Sequence, residues 1–148
     1  MIVIISLKFY IKRTFILFDN RKGEIGMLLN INTMKEITNI PHRKSFEAWK
    51  KNISEIDYRA IIDELNKRID DNQEIHTAGW MPGHDWTGTV FYPIYLACKK
   101  DKSAAALFFG IIVFIVFMER TEKWSFGRYN LNGMDIASMT YFRLGKDR

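Results

Sequence analysis

The stretch that decides the fold is residues 104–118, AAALFFGIIVFIVFM, which contains no charged residue. A membrane-spanning helix needs about 20 apolar residues to cross roughly 30 Å of hydrocarbon, whereas this run would rise only about 22 Å as a helix. Charged residues flank it closely, at positions 99–102 and 119–122. A helix that is apolar all round must be covered on most sides. We therefore predict a buried central helix, with Asp101 or Ser103 as its N-cap.

One glycine, Gly110, lies inside this predicted helix. A glycine in a helix interior costs about 1 kcal/mol relative to alanine. Because glycine also allows another segment to approach the backbone closely, we expect a neighbouring element to cross the helix at this point.

Composition and charge bound the class of protein. The 148 residues carry a net charge of +5. Lysines and arginines outnumber acidic residues by 13 to 11 (+2) in residues 1–74 and by 9 to 6 (+3) in residues 75–148. Since the excess is spread evenly, we predict no specific nucleic-acid partner. The single Cys98 excludes an internal disulfide and a cysteine-rich zinc site. We expect one domain over residues 1–148, in the cytoplasm, without a cofactor.

The amino-terminal third shows the period of two that is typical of strands. Apolar residues alternate over residues 3–11 and again over residues 25–31, and a turn cluster occupies residues 19–23. This pattern predicts an antiparallel hairpin within residues 1–33. We expect it to lie partly at the periphery of a core formed by residues 43–148.

The beginning of the chain does not resemble a signal peptide, because Lys8, Lys12 and Arg13 interrupt its apolar run. The abundance of Ile, Lys, Asn and Phe is typical of AT-rich coding DNA and suggests a bacterial or mobile-element origin. The biological start is left open between Met1, Met27 and Met34.

The middle of the chain is helical in pattern. Apolar residues over residues 46–53 share one helix face, and Ser54 with Asp57 resembles a capping box that would begin a longer helix ending near Asp71. A short helix is predicted within residues 90–100. The apolar stripe of the longer helix consists of Tyr58, Ile61, Ile62, Leu65 and Ile69.

The carboxyl-terminal part predicts a second hairpin, because Asn132-Gly133 is a strong two-residue turn signal. The fold class is therefore α+β: an N-terminal hairpin, two to three amphipathic helices, the buried apolar helix and a C-terminal hairpin. We expect both hairpins to join one antiparallel sheet on the long helix. The expected cross-strand pairs are Leu131 with Met134, Tyr129 with Ile136, and Trp124 with Tyr141.

Rare residue types concentrate between residues 76 and 91. This stretch holds three of the nine glycines, two of the four tryptophans and two of the three histidines. Glycine lets the backbone approach a ligand, and tryptophan offers a flat apolar face with one hydrogen-bond donor. A loop of this kind held against a rigid core is a common way to build a binding site.

Arg128 is the second candidate, because the predicted hairpin places it on an apolar strand face. A buried arginine needs a partner, either an internal carboxylate such as Asp85 or Glu119 or an anionic ligand. The leading hypothesis is a small binding or interaction module for a small anionic or planar ligand or a protein partner, with no membrane partner. Its site comprises residues 76–89, with Trp80, His84, Asp85 and Trp86, together with Trp124, Arg128 and Tyr129.

Three other interpretations stay open. His76 and His84 could form the acid–base pair of a small hydrolase or nuclease, with Arg128 stabilising the developing anion. The chain could instead be an interaction subunit of the antitoxin, immunity or phage-inhibitor type, and a homodimer is left open. Alternatively, the loop fills the core, with Asp85 in a turn. The spacing of the two histidines and Asp85 matches no recognised metal motif, so no metal site is predicted.

Overall fold

The structure is a computed structural model that describes residues 27–71, 75–77, 85–128, 130–131, 134–135 and 139–145. It confirms the α+β class. In chain order the elements are β1 (Met27–Asn30), β2 (Lys35–Glu36), α1 (Arg43–Lys50), α2 (Glu55–Asp71), β3 (Ile75–Thr77), α3 (Tyr92–Ala97), α4 (Lys102–Glu119), β4 (Lys123–Gly127), β5 (Asn130–Leu131), β6 (Met134–Asp135) and β7 (Thr140–Arg143).

Helix α4 is the predicted central helix. It begins at Lys102, and Asp101 is its N-cap, with the Asp101 carboxylate accepting a hydrogen bond from the Ala104 N–H at 2.9 Å. Every residue from Ile111 to Phe117 is buried. By length and composition the helix could cross a membrane, but 56% of it is buried within the structure. This burial is consistent with the core helix of a soluble protein.

The main sheet contains five described strands in the order β2-β1-β4-β7-β3. Strands β1 and β4 are parallel, and the other neighbouring strands are antiparallel. The prediction of a purely antiparallel sheet is therefore wrong. The chain between Asn30 and Lys123 contains all four described helices, which supply the long crossover that a parallel pair needs. The strand predicted over residues 3–11 lies outside the described residues.

One face of this sheet covers the carboxyl-terminal half of α4. Leu28 pairs with Trp124, and Tyr141 pairs with both Phe126 and His76, so these side chains share a face. All five are at most 6% exposed. In β1 the fully buried residue is thus Leu28, whereas the odd-numbered apolar residues Met27 and Leu29 are half-buried on the opposite face.

The strand pairing predicted for the second hairpin is correct next to the turn but is shifted by two residues far from the turn. Leu131 pairs with Met134 as predicted, but Trp124 lies opposite Arg143 instead of Tyr141. Two residues separate β4 from β5, whereas four separate β6 from β7, and this difference accounts for the shift. Since a shift of two residues preserves the side-chain alternation, the predicted faces are retained. The expected pair of Tyr129 and Ile136 lies outside the described residues.

The helical layer follows the predicted pattern closely. The Ser54 hydroxyl accepts a hydrogen bond from the Asp57 N–H at 3.1 Å and donates one to the Asp57 carboxylate at 2.8 Å. Helix α2 then runs to Asp71 as predicted. Its buried side chains are Tyr58, Ile61, Leu65 and Ile69.

Arg120 joins the end of α4 to the end of α2. Its guanidinium donates hydrogen bonds to Asn66 at 2.8 Å and to Asp70, and it makes two bonds with the Glu122 carboxylate at 3.0 and 2.8 Å. The Arg120 side chain is only 11% exposed. Burial would raise the pKa of Glu122, but the hydrogen bonds from Arg120 hold that pKa below its ordinary value. This cluster fixes the helical layer to the start of β4.

The expectation of a close crossing at Gly110 is wrong. No described atom lies within 4 Å of the position that a Cβ would occupy there. Gly110 is half-buried, although Ile111 and the six residues after it are buried. The glycine therefore marks a point on α4 that no described residue approaches closely.

Candidate functional site

The structure places His76 in the core. This residue lies on β3 and is 6% exposed. Its ring centroid is 6.0 Å from that of Phe117 and 5.9 Å from that of Trp124. An imidazole packed among aromatic rings is poorly placed to exchange a proton with a bound substrate. His84 lies outside the described residues, so a pair of the two histidines gains no support from this geometry.

Trp124 is also a core residue. It is 1% exposed, and its ring meets that of Phe117 edge-on with 4.7 Å between the centroids. Its Nε1 is buried and has no hydrogen-bond partner among the described residues. The side chain therefore holds β4 on α4 and is not accessible to a ligand in solution.

Asp85 lies in a turn, as expected under the interpretation in which the loop fills the core. The fully exposed Asp85 carboxylate accepts a hydrogen bond from the Thr87 N–H at 2.9 Å. The hydrogen bonds from Thr87 hold the pKa of Asp85 below its ordinary value. Gly88 follows with a φ of 72°, in the left-handed region that glycine adopts without strain. Asp85 thus orders the backbone on either side of Trp86.

Trp86 is half-buried and rests on α4. Its ring centroid lies 5.5 Å from that of Phe109. The Thr89 hydroxyl donates a hydrogen bond to the Trp86 carbonyl at 2.7 Å and accepts one from the Phe91 N–H at 3.2 Å. These bonds order the backbone at Trp86, and the residue keeps part of its surface exposed to solvent.

Trp86 and Trp124 do not meet. Trp86 rests on Phe109 and Trp124 on Phe117. These two phenylalanines are eight residues apart on α4, which corresponds to about 12 Å along the helix axis. The predicted site is thereby divided into a core part around Trp124 and an accessible part around Trp86.

Arg128 is exposed, which corrects the expectation that it is buried on an apolar strand face. The arginine that is largely withdrawn from solvent is Arg120, whose partners are Asn66, Asp70 and Glu122. The strand pattern had favoured Arg128 because it continues the alternation of Trp124 and Phe126, but β4 ends at Gly127.

Strand β4 runs back along α4 toward the amino terminus of the helix. Trp124 contacts Phe117, and Phe126, two residues later, contacts Phe114 with 5.1 Å between the ring centroids. As the strand advances, its contacts therefore move to earlier residues of the helix.

Arg128 comes directly after Gly127, where β4 ends. Gly110 lies four residues before Phe114, about 6 Å along a helix. Trp86 approaches the adjacent residue of the helix, Phe109. A half-buried indole thus lies on α4 at Phe109, and an exposed arginine follows the end of the strand that packs on the same helix.

Part of the surface of α4 near this level is exposed. A Cβ at Gly110 would meet no described atom within 4 Å. One turn earlier, Ala106 is exposed and Leu107 is 39% exposed. Sequence analysis did not include Gly110 among the candidate site residues. The sequence did single out Gly110, because a glycine inside a strongly apolar helix lowers the stability of the helix. We had attributed its presence to a close crossing by another element.

The remaining candidates do not form a chemical site among the described residues. Burial raises the pKa of the Cys98 thiol to about 11, with a further contribution from Asp101, so this thiol is a poor nucleophile near neutral pH. No group of three or more His, Cys, Asp or Glu residues in the described part of the chain could hold a metal ion. Trp80, His84 and Tyr129 lie outside the described residues.

Comparison with known proteins gives no identification. No family model matches the chain, and no curated protein or solved structure shows significant similarity to it. The function is therefore inferred from the chain's own residues.

Proposed function

We propose that this chain is a small cytoplasmic binding protein that recognises a small planar anion between Trp86 and Arg128. Two observations support the proposal: Trp86 is half-buried on α4, with its ring centroid 5.5 Å from that of Phe109, and Arg128 is exposed directly after the end of β4, a strand that packs on the same helix. The proposed site keeps Trp86 and Arg128 from the site predicted from the sequence. It excludes Trp124, which is a core residue.

The two side chains have complementary chemistry. The indole of Trp86 offers an apolar face for a planar group. The guanidinium of Arg128 is always charged and presents a planar set of donors that suits a carboxylate or phosphate. Gly110 would let the ligand approach the helix backbone without meeting a side chain. A ligand that is both flat and anionic would therefore use all three residues.

The position of Trp86 is fixed before a ligand binds. Its carbonyl accepts the Thr89 hydroxyl bond at 2.7 Å, and the Asp85 carboxylate closes the turn around it. A side chain that is already ordered loses little conformational entropy on binding. The ordered backbone, together with the partial exposure of Trp86, supports a binding role over a role in protecting the core alone.

The test is ligand-induced stabilisation of the full chain. Benzoate, indole-3-acetate and adenosine monophosphate serve as planar anionic probes, and cyclohexanol serves as a neutral, non-planar control. We expect at least one planar anion to raise the melting temperature of the unmodified protein, since a ligand that binds only the folded state stabilises it. Titration calorimetry then measures the affinity.

Three variants locate the site. Trp86→Leu keeps an apolar contact with Phe109, Arg128→Gln removes the charge, and Gly110→Leu adds a side chain at the point on α4 that no described residue approaches closely. Each should fold, as judged by circular dichroism, and lose the ligand-induced shift. The control is Arg59→Gln, which removes an exposed charge on α2. Equal shifts in all four variants, or no shift with any planar anion, would overturn the proposal.

A further inference from the structure

Two corners between helices lie side by side at one end of the helical layer. One corner connects α1 to α2 through residues 51–54, and the other connects α3 to α4 through residues 98–101. The Asn52 side-chain amide donates a hydrogen bond to the Ala97 carbonyl at 3.1 Å and joins the two. The two corners and the residues that flank them, residues 50–57 and 96–102, form one surface, which we call the corner surface.

The corner surface is basic. Four of its lysines are exposed and make no ion pair with any described residue, whereas the acidic residues beside them, Asp57 and Asp101, are engaged in hydrogen bonds at helix N-termini. Lys50 and Glu55 lie beside them and pair with each other at 3.3 Å, so five positive and three negative charges give a net charge of +2. The four exposed lysines are Lys51, Lys99, Lys100 and Lys102.

Two of these lysines occupy strained backbone positions. Lys99 has a φ of 54° and Lys100 a φ of 62°, in the left-handed region where glycine is the usual residue after a helix. A side chain at such a position is disfavoured, and residues that keep it are found most often at functional sites. Because two successive lysines stand where glycine would fold more easily, their charges point to a role outside folding.

Exposed aliphatic side chains accompany the lysines. Ile56, in the first turn of α2 and four residues after Asn52, is 82% exposed. Leu96, beside Ala97 at the end of α3, is 48% exposed. These two side chains are the apolar part of the corner surface.

We propose that the corner surface binds an anionic lipid surface. Lysines near such a surface each contribute to attraction by the negatively charged headgroups, and exposed aliphatic side chains insert between them. Protein interfaces are instead depleted in lysine and enriched in arginine, and the corner surface carries only lysines. This proposal departs from the expectation of no membrane partner, and it concerns other residues than the proposed ligand site at Trp86 and Arg128.

The experiment is sedimentation of the full chain with lipid vesicles. One vesicle type contains phosphatidylcholine alone, and the other contains equal parts of phosphatidylcholine and phosphatidylglycerol. We expect binding only to the anionic vesicles, and we expect high salt to weaken it because salt screens exposed charges. Separately, Ile56→Ser combined with Leu96→Ser should weaken binding without changing the net charge.

A pair of double variants separates the corner surface from general basicity. Lys99→Gly with Lys100→Gly should weaken vesicle binding about fivefold per lysine, roughly 25-fold together, while raising the melting temperature because the strain is removed. Lys35→Gly with Lys44→Gln removes the same charge from exposed positions outside the corner surface and should leave binding nearly unchanged.

Three outcomes overturn the proposal. The first is absence of binding to the anionic vesicles. The second is equal weakening of binding in both double variants, which would show attraction to the whole basic protein. The third is binding of a poly-glutamate peptide through Lys99 and Lys100 without vesicle binding, which would assign the surface to an acidic protein segment.

Discussion

The ring of Tyr141 stacks on the ring of Phe117, with 4.0 Å between the centroids and 11° between the planes. Phe117 belongs to α4 and Tyr141 to β7, and both are at most 1% exposed. The contact holds the sheet on the central helix, and it places the Tyr141 phenol where an ionised oxygen would be poorly solvated.

Burial raises the pKa of Tyr141, and burial together with the nearby Glu119 and Glu55 raises that of Tyr58. The folded protein therefore holds these two protons more tightly than the unfolded chain does. Their contribution to stability is complete below about pH 10, the ordinary tyrosine value, and is lost as the pH rises from there toward the folded pKa. We predict a fall in the unfolding free energy above about pH 10 of up to roughly 1.4 kcal/mol per pH unit for each tyrosine.

Urea unfolding at a series of alkaline pH values tests this prediction. Tyr141→Phe and Tyr58→Phe should each reduce the slope of the unfolding free energy against pH by the contribution of one proton. If neither Tyr141→Phe nor Tyr58→Phe changes the slope of the unfolding free energy against pH, the prediction is contradicted.

Short-range patterns predicted the helices well. The capping box at Ser54, the stripe of α2 and the Asp101 cap depend on residues within a few positions of one another, and local chemistry is enough to specify them. The parallel pairing of β1 with β4 brings together residues almost a hundred positions apart. No local pattern reports that contact, so sequence analysis joined the strands in the wrong direction.

The candidate site was predictable in part for the same reason. Trp86 was identified from composition, because two tryptophans in one loop are unusual. The burial of His76 and the exposure of Arg128 depend on where β3 joins the sheet and where β4 ends. Those endpoints are tertiary properties, since a three-residue strand such as β3 carries too short a pattern to be recognised alone.

Two glycines should respond oppositely to the same substitution. Gly110→Ala adds a methyl group to a helix where no described atom lies within 4 Å, and we expect the free energy of unfolding to rise by about 0.5–1 kcal/mol. Gly88→Ala meets the same open space, but its φ of 72° disfavours a side chain, so we expect a loss of about 1 kcal/mol. Urea denaturation measures both. A destabilised Gly110→Ala protein would mean that α4 is covered at this point.

Arg120 should be far more important for stability than an ordinary surface arginine. Arg120→Ala removes the bonds to Asn66, Asp70 and Glu122 and leaves a carboxylate that is 24% exposed without its main partner. We expect a loss of about 2 kcal/mol in the unfolding free energy.

The matched comparison for Arg120 is Arg59→Ala. The Arg59 side chain is 57% exposed and pairs with Glu55 at 3.4 Å, so its removal should cost less than about 0.5 kcal/mol. Similar losses of unfolding free energy in the two variants would show that the Arg120 cluster contributes no more to stability than an exposed ion pair does.

Variants of His76 distinguish a role in core packing from a role in catalysis. Because its ring packs within about 6 Å of the rings of Phe117 and Trp124, His76→Ala should lower the unfolding free energy by about 2–4 kcal/mol. His76→Phe keeps an aromatic ring in the same space, so it should cost only about 1 kcal/mol. If His76 were an acid–base catalyst, the unmodified protein would cleave a phosphodiester probe. The His76→Phe variant would then fold well but lose that hydrolysis. We expect no such selective loss, since a ring with 6% exposure cannot approach a substrate held in solvent.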